Sequence, residues 1–220
     1  MIFGHEEMRG DKHMLNLIGF YDYTVILTYM SVLSALIGMN FSVKGSFSAA
    51  ILCLLFSGLC DAFDGIVARS KKNRSEDEKV FGIQIDSLCD VVSFGVFPAV
   101  ICYHMGANHV FGLACICVYV LCAVIRLAFF NVLEGKRQQK EGGCNKTYRG
   151  LPVTSISIIF PVLYCLNFVV PETVFKIMLH VMLVLIAFLF VLDFRVKKPD
   201  WTKLFVRKKA PTCAAGRNDV

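Results

Sequence analysis

No stretch of the 220-residue chain stays polar long enough to build a soluble second domain, because charge is confined to short segments between apolar runs. Internal repeats and low-complexity segments are missing too, which leaves a single domain. The ten cysteines contain no CxxC spacing; eight fall in apolar runs and Cys144 and Cys213 in polar segments. Reduced, structural thiols are therefore expected rather than disulfides or zinc ligands. Residues 1–13 are polar and the first apolar run is long enough to stay as a span, so no cleaved signal peptide is expected. The net charge of +6 gathers beside apolar runs, a topology and anionic-lipid signal that argues against nucleic acid as a partner.

Apolar sequence is what the chain has in abundance: 56% of residues are hydrophobic. Runs at 22–41, 47–68, 80–103, 110–132, 151–170 and 173–194 are each near the roughly 20 residues that a helix needs to cross a bilayer. The expected fold is an all-α polytopic membrane bundle of about six transmembrane helices. Lys and Arg test the count: two lie in residues 1–20, five in 69–79, five in 133–150 and seven in 195–209, whereas the intervening loops hold only Lys44. By the positive-inside rule, both termini then face the cytoplasm of a cytoplasmic membrane. The expected divisions are a cytoplasmic or interfacial segment at 1–20, in which Met14 to Tyr21 forms an interfacial helix, a membrane domain at 21–195 and a basic cytoplasmic tail at 196–220.

Four acids interrupt the apolar sequence at helical spacing. Asp61, Asp64, Gly65 and Ala68 share one arc of a helix at about 100° per residue, and Gly82, Asp86 and Asp90 line one stripe of another. Two facing acidic stripes make an oxygen cage for hard divalent ions such as Mg²⁺ or Mn²⁺, which are commonly shared between carboxylates and substrate phosphates. Two such ions suit the neutralisation of a pyrophosphate during displacement. Gly65, Ala68 and Gly82 clear the helix surface for a bulky ligand or for close helix packing. Arg69 sets a cation at the rim, or snorkels to the interface. Asp61, eight residues before Arg69, lies roughly 12 Å below that interface, a depth at which it can meet a lipid phosphate.

The pattern DxxDGxxAR…GxxxDxxxD resembles the signature of the CDP-alcohol phosphatidyltransferase family at all eight positions. The stretch from Phe81 to Ala99, with Arg126-Leu-Ala-Phe-Phe-Asn131 and Gly150-Leu-Pro152, further resembles the phosphatidylserine synthase branch. That resemblance implies transfer of a phosphatidyl group from CDP-diacylglycerol to L-serine, with release of CMP, in a homodimer set among membrane lipids. It implies that Asp61, Asp64 and Asp86 hold two Mg²⁺ or Mn²⁺ ions, that Asp90 completes the cage and is the general base, and that Gly65, Ala68, Arg69 and Gly82 line the nucleotide pocket. Glycerol phosphate, inositol phosphate and inositol are alternative acceptors. The chain departs from the pattern twice: twelve residues separate Arg69 from Gly82, more than in many relatives, and the first span opens Tyr21-Asp22-Tyr23-Thr24 where relatives often have Asn-x-x-Thr. From another class, a divalent-cation transporter also carries intramembrane acids, but it needs an aqueous path to both sides, and these acids cluster towards one face.

Arg126 lies about six residues inside the fourth run, a depth that marks either capture of a phosphate or amino-acid carboxylate or a structural pair with an aspartate. Lys146 and Arg149 either orient an anion or act as solvated topology charges. Ser87 and Ser93 either touch polar ligands or bond within their own helix. His180 reads as buried structure, Ser75-Glu-Asp-Glu78 as a capping box, and Pro161 as a kink in the fifth span.

Overall fold

The computed structural model describes residues 25–70, 75–139, 147–193 and 195–197, with backbone alone at 65–70, 76, 136–139, 147–149 and 195–197. The expected interfacial segment at 1–20 and nearly all of the basic tail lie outside the described residues, as does Lys146.

The first apolar run forms α1 (Ile26–Val43), whose buried face is made of small residues: Thr28, Ser31, Ala35, Gly38 and Ser42, spaced alternately three and four apart. A stripe with that period stays on one side of a helix and lets a neighbour approach closely. The neighbour is α2 (Phe47–Ser70), joined to α1 by a tight turn and packed along it. Gly38 allows a close approach: a Cβ there would overlap the Phe97 ring and stand 2.9 Å from Cys53 Cβ of α2. Gly58 on α2 admits Ser157 in the same way, at 2.2 Å from its Oγ.

The third run is one long element in three parts, α3 (Glu76–Asp90), a wide π-turn (Val91–Val96) and α4 (Phe97–His104). Its start is the expected capping box: Ser75 Oγ accepts from the Glu78 N–H and Glu78 Oε2 from the Ser75 N–H, both at 3.1 Å. In a regular helix the Phe94 carbonyl would accept from residue 98, but Pro98 has no N–H. The hydroxyl of Tyr119, on α5 (Val110–Gln139), donates to that carbonyl instead at 2.6 Å.

The fifth run departs from a full-length span. A 3₁₀ turn (Val153–Ser155) leads into α6 (Ile156–Leu166), which contains Pro161, and the apolar helical stretch Val153–Leu166 is shorter than the five helices of membrane-crossing length among the described residues. Helix-breaking proline and the turns after Leu166 limit it. The last run is α7 (Glu172–Val191), which packs along α5 through Phe175, Leu179, Met182, Ile186 and Phe190. Large apolar side chains such as Leu52, Leu59, Leu121 and Phe188 point outward while hydroxyls line helix contacts, the arrangement for a lipid-facing bundle.

β1 (Thr147–Arg149) pairs antiparallel with β2 (Arg195–Lys197), so the segment before α6 and the segment after α7 meet at one end of the bundle. Gly150 follows with φ +70°, and a Cβ there would stand 3.0 Å from the Leu192 carbonyl oxygen and 3.3 Å from Arg126 Cζ. The left-handed backbone costs a residue with a side chain about 1–2 kcal/mol. Gly150→Ala is accordingly expected to destabilise the detergent-solubilised protein by at least about 1 kcal/mol in thermal unfolding, and an unchanged midpoint would contradict this account of the junction.

Candidate functional site

The carboxylates stand on two helices that follow one another in the chain, α2 and α3. Asp61 and Asp64 lie near the end of α2, and Asp86 and Asp90 on the second half of α3. Asp61, Asp86 and Asp90 are partly exposed, and each offers an oxygen within 4.8 Å of the others. Like charges this close repel strongly, which a cation or a shared proton among them relieves. Oxygens about 2.1 Å from one ion stand at most about 4.2 Å apart, so small side-chain movements suffice for shared coordination. An all-carboxylate donor set fits a hard divalent cation, and this cluster is able to hold one.

Asp64 belongs to the same cluster on different terms. It is buried, its Oδ2 accepts from Thr28 Oγ1 of α1 at 3.3 Å, and it lies within hydrogen-bonding reach of Asp86, as Asp61 does of Asp90. The four expected ligands thus divide into three that face one another and one steered from α1. Thr28 carries no sequence signal for this role, since nothing local ties it to a residue two helix lengths away.

Gly82 sits one turn before Asp86 on α3, on the same stripe, and Gly65, Ala68 and Arg69 continue α2 beyond Asp64, with their side-chain surroundings outside the described residues. Arg126 makes its described contacts elsewhere. It is buried on α5, its Nε donates to the Leu151 carbonyl at 3.2 Å, Gly150 lies against its guanidinium, and Asp193 is the acid whose charge acts on it. The aspartate partner expected for Arg126 is therefore one beyond the end of α7, outside the motif.

Neither serine bonds within its own helix. Ser87 Oγ donates to Asn131 Oδ1 at 2.6 Å, and Asn131 Nδ2 to Gln84 Oε1 at 3.4 Å, tying α3 to α5. Ser93 Oγ accepts from Ser31 Oγ at 3.2 Å. His180, expected to be buried, is only partly so, and its Nδ1 lies 2.6 Å from the Lys176 carbonyl oxygen one turn earlier.

Fold and site together define a polytopic membrane helix bundle with a carboxylate centre between its second and third membrane helices. The chain belongs to the CDP-alcohol phosphatidyltransferase family, whose model matches residues 23–192. It is 35% identical over 152 residues to an archaetidylserine synthase of Methanothermobacter thermautotrophicus, an alignment covering 69% of this chain and 60% of that protein. It is 31% identical over 171 residues to a CDP-diacylglycerol–serine O-phosphatidyltransferase of Saccharomyces cerevisiae, covering 74% and 60% respectively. A protein of that same description from Methanocaldococcus jannaschii is 35% identical over 111 residues, 50% of this chain and 51% of the relative. The chain thus spans about 60% of the length of the first two relatives. No solved structure matches it.

Proposed function

We propose that the chain transfers the phosphatidyl group of CDP-diacylglycerol to L-serine, forming phosphatidylserine and CMP. The observation that carries this reading is the meeting of Asp61 with Asp86 and Asp90 across α2 and α3, in a chain of this family. Relatives whose names specify serine as the acceptor support the choice of alcohol. In this reading residues 21–195 are the catalytic membrane domain, acting as a homodimer.

The roles follow from chemistry. Asp61, Asp64, Asp86 and Asp90 would hold two Mg²⁺ or Mn²⁺ ions, which would supply neutralisation of the pyrophosphate charge. Gly65, Ala68 and Gly82, having little or no side chain, suit a nucleotide laid against the helix backbones, and Arg69 supplies a cation for its phosphates. Asp90 accepts the proton of the serine hydroxyl. The serine oxygen forms a bond to the lipid-side phosphorus as the bond to the bridging pyrophosphate oxygen breaks, and that electron pair leaves with CMP. Arg126 receives the serine carboxylate. The test is an acceptor panel: purified chain with CDP-diacylglycerol and Mg²⁺ or Mn²⁺ should form lipid product with serine, whereas product with glycerol phosphate, inositol phosphate or inositol but not with serine would reassign the acceptor.

Both termini and the acids face the cytoplasm in this reading, because the basic segments alternate with loops that hold only Lys44. The pairing of β1 with β2 supports it by holding two of those segments at one end. Ser75 and Asn108 are both exposed. With native cysteines removed, Ser75→Cys should react with an impermeant thiol reagent only after permeabilisation, and Asn108→Cys in intact cells; the reverse pattern would invert the topology.

A further inference from the structure

We propose that Tyr119 is a positioning residue for the carboxylate centre, acting through the wide turn that begins where Asp90 ends α3. Asp90 is the residue at which the helix changes winding, and the Phe97 N–H bonds to the Val92 carbonyl, five residues back, rather than four. Changing the winding by one residue turns one half of a helix about 100° relative to the other. The turn therefore sets the direction of Asp86 and Asp90 against a lower half, α4, that is anchored in the core by the buried Phe97, Ile101 and Cys102.

Two clamps hold the turn. Pro98 leaves the Phe94 carbonyl without its regular helical donor, and Phe94 and Tyr119 are both fully buried, so the Tyr119 hydroxyl supplies that bond where water does not reach. The Tyr119 ring is fixed in turn against Phe190 of α7, 5.8 Å between centroids. From the opposite side, Ser31 Oγ donates to Ser93 Oγ within the turn, while the Ser31 carbonyl accepts from Ser57 Oγ at 2.8 Å. Ser57 is one helical turn before Asp61. A run of buried hydroxyls thus connects the helix of Asp61 to the turn below Asp90, and Tyr119 closes the clamp from α5.

The inference rests on the carboxylates being a metal centre, so it is read on Mn²⁺ binding rather than on turnover. Titration of the purified full chain in detergent, with free Mn²⁺ followed by electron paramagnetic resonance, should show Tyr119→Phe binding about tenfold more weakly than the unaltered chain, the size of effect seen when residues orienting metal ligands are lost. Pro98→Ala restores an N–H opposite the Phe94 carbonyl, so adding Tyr119→Phe to Pro98→Ala should weaken binding less than twofold. Unchanged Mn²⁺ affinity in folded Tyr119→Phe, or the same penalty in both backgrounds, would overturn the proposal. Should Tyr119→Phe not fold, Ser93→Ala, which frees the turn from α1 alone, must weaken Mn²⁺ binding several-fold, and full affinity there overturns it equally. Absence of Mn²⁺ binding by the unaltered chain would instead remove the metal centre itself, and with it the proposed chemistry.

Discussion

Asp86→Asn and Asp90→Asn should each lower phosphatidyl transfer at least about a hundredfold while leaving the bundle folded. Each substitution keeps the shape of the side chain and removes one negative charge from a group of carboxylates whose oxygens approach within 4.8 Å. An amide offers a neutral oxygen to a cation and accepts no proton, so Asp90→Asn removes a ligand and the base together. Folding is spared because both side chains are partly exposed and relieving repulsion costs the apo protein little. Chelation of divalent ions should reproduce the loss in the unaltered chain, and added Mn²⁺ should reverse chelation but not Asp90→Asn. Turnover near normal in either folded variant at saturating metal would end the carboxylate-centre reading.

What the sequence made legible was local. The capping box at Ser75–Glu78, the helical phase of Asp61 against Asp64 and of Asp86 against Asp90, and the long apolar runs all follow from spacings of three and four residues along one helix. The partners that refine the site are not local. Thr28 reaches Asp64 from another helix and Asn131 meets Ser87 from α5, contacts that depend on how helices cross, and the charge of Asp193 acts on Arg126 from beyond α7. The wide turn shows the same limit: Pro98 announces a missing donor, yet only the packing of α5 reveals that Tyr119 replaces it. The fifth run, 151–170, is apolar throughout and predicts a helix along its whole length, whereas Pro161 and the turns after Leu166 leave α6 shorter than its neighbours, a limit that apolarity alone does not show.

Arg126→Ala should raise the KM for serine about tenfold or more while changing that for CDP-diacylglycerol far less, since a hydrogen-bonded charge contributes roughly 1.5–3 kcal/mol to holding a carboxylate. The side chain is buried, and the bond from Nε to the Leu151 carbonyl fixes the plane of the guanidinium. A fixed plane is what two-point recognition of a carboxylate requires. Arg126→Lys should therefore rescue poorly, because an ammonium keeps the charge and loses the fork. The competing account makes Arg126 a latch that joins α5 to the Gly150–Leu151 turn and to Asp193. Asp193→Asn separates the two: Asp193 is exposed, so its amide removes the charge partner while leaving the Leu151 bond and the guanidinium in place. If Arg126 binds serine, Asp193→Asn shifts thermal stability without moving the serine KM tenfold. If Arg126 is only a latch, Arg126→Ala and Asp193→Asn both lower the melting temperature and both leave the two substrate constants unchanged, an outcome that would return the serine carboxylate to another cation.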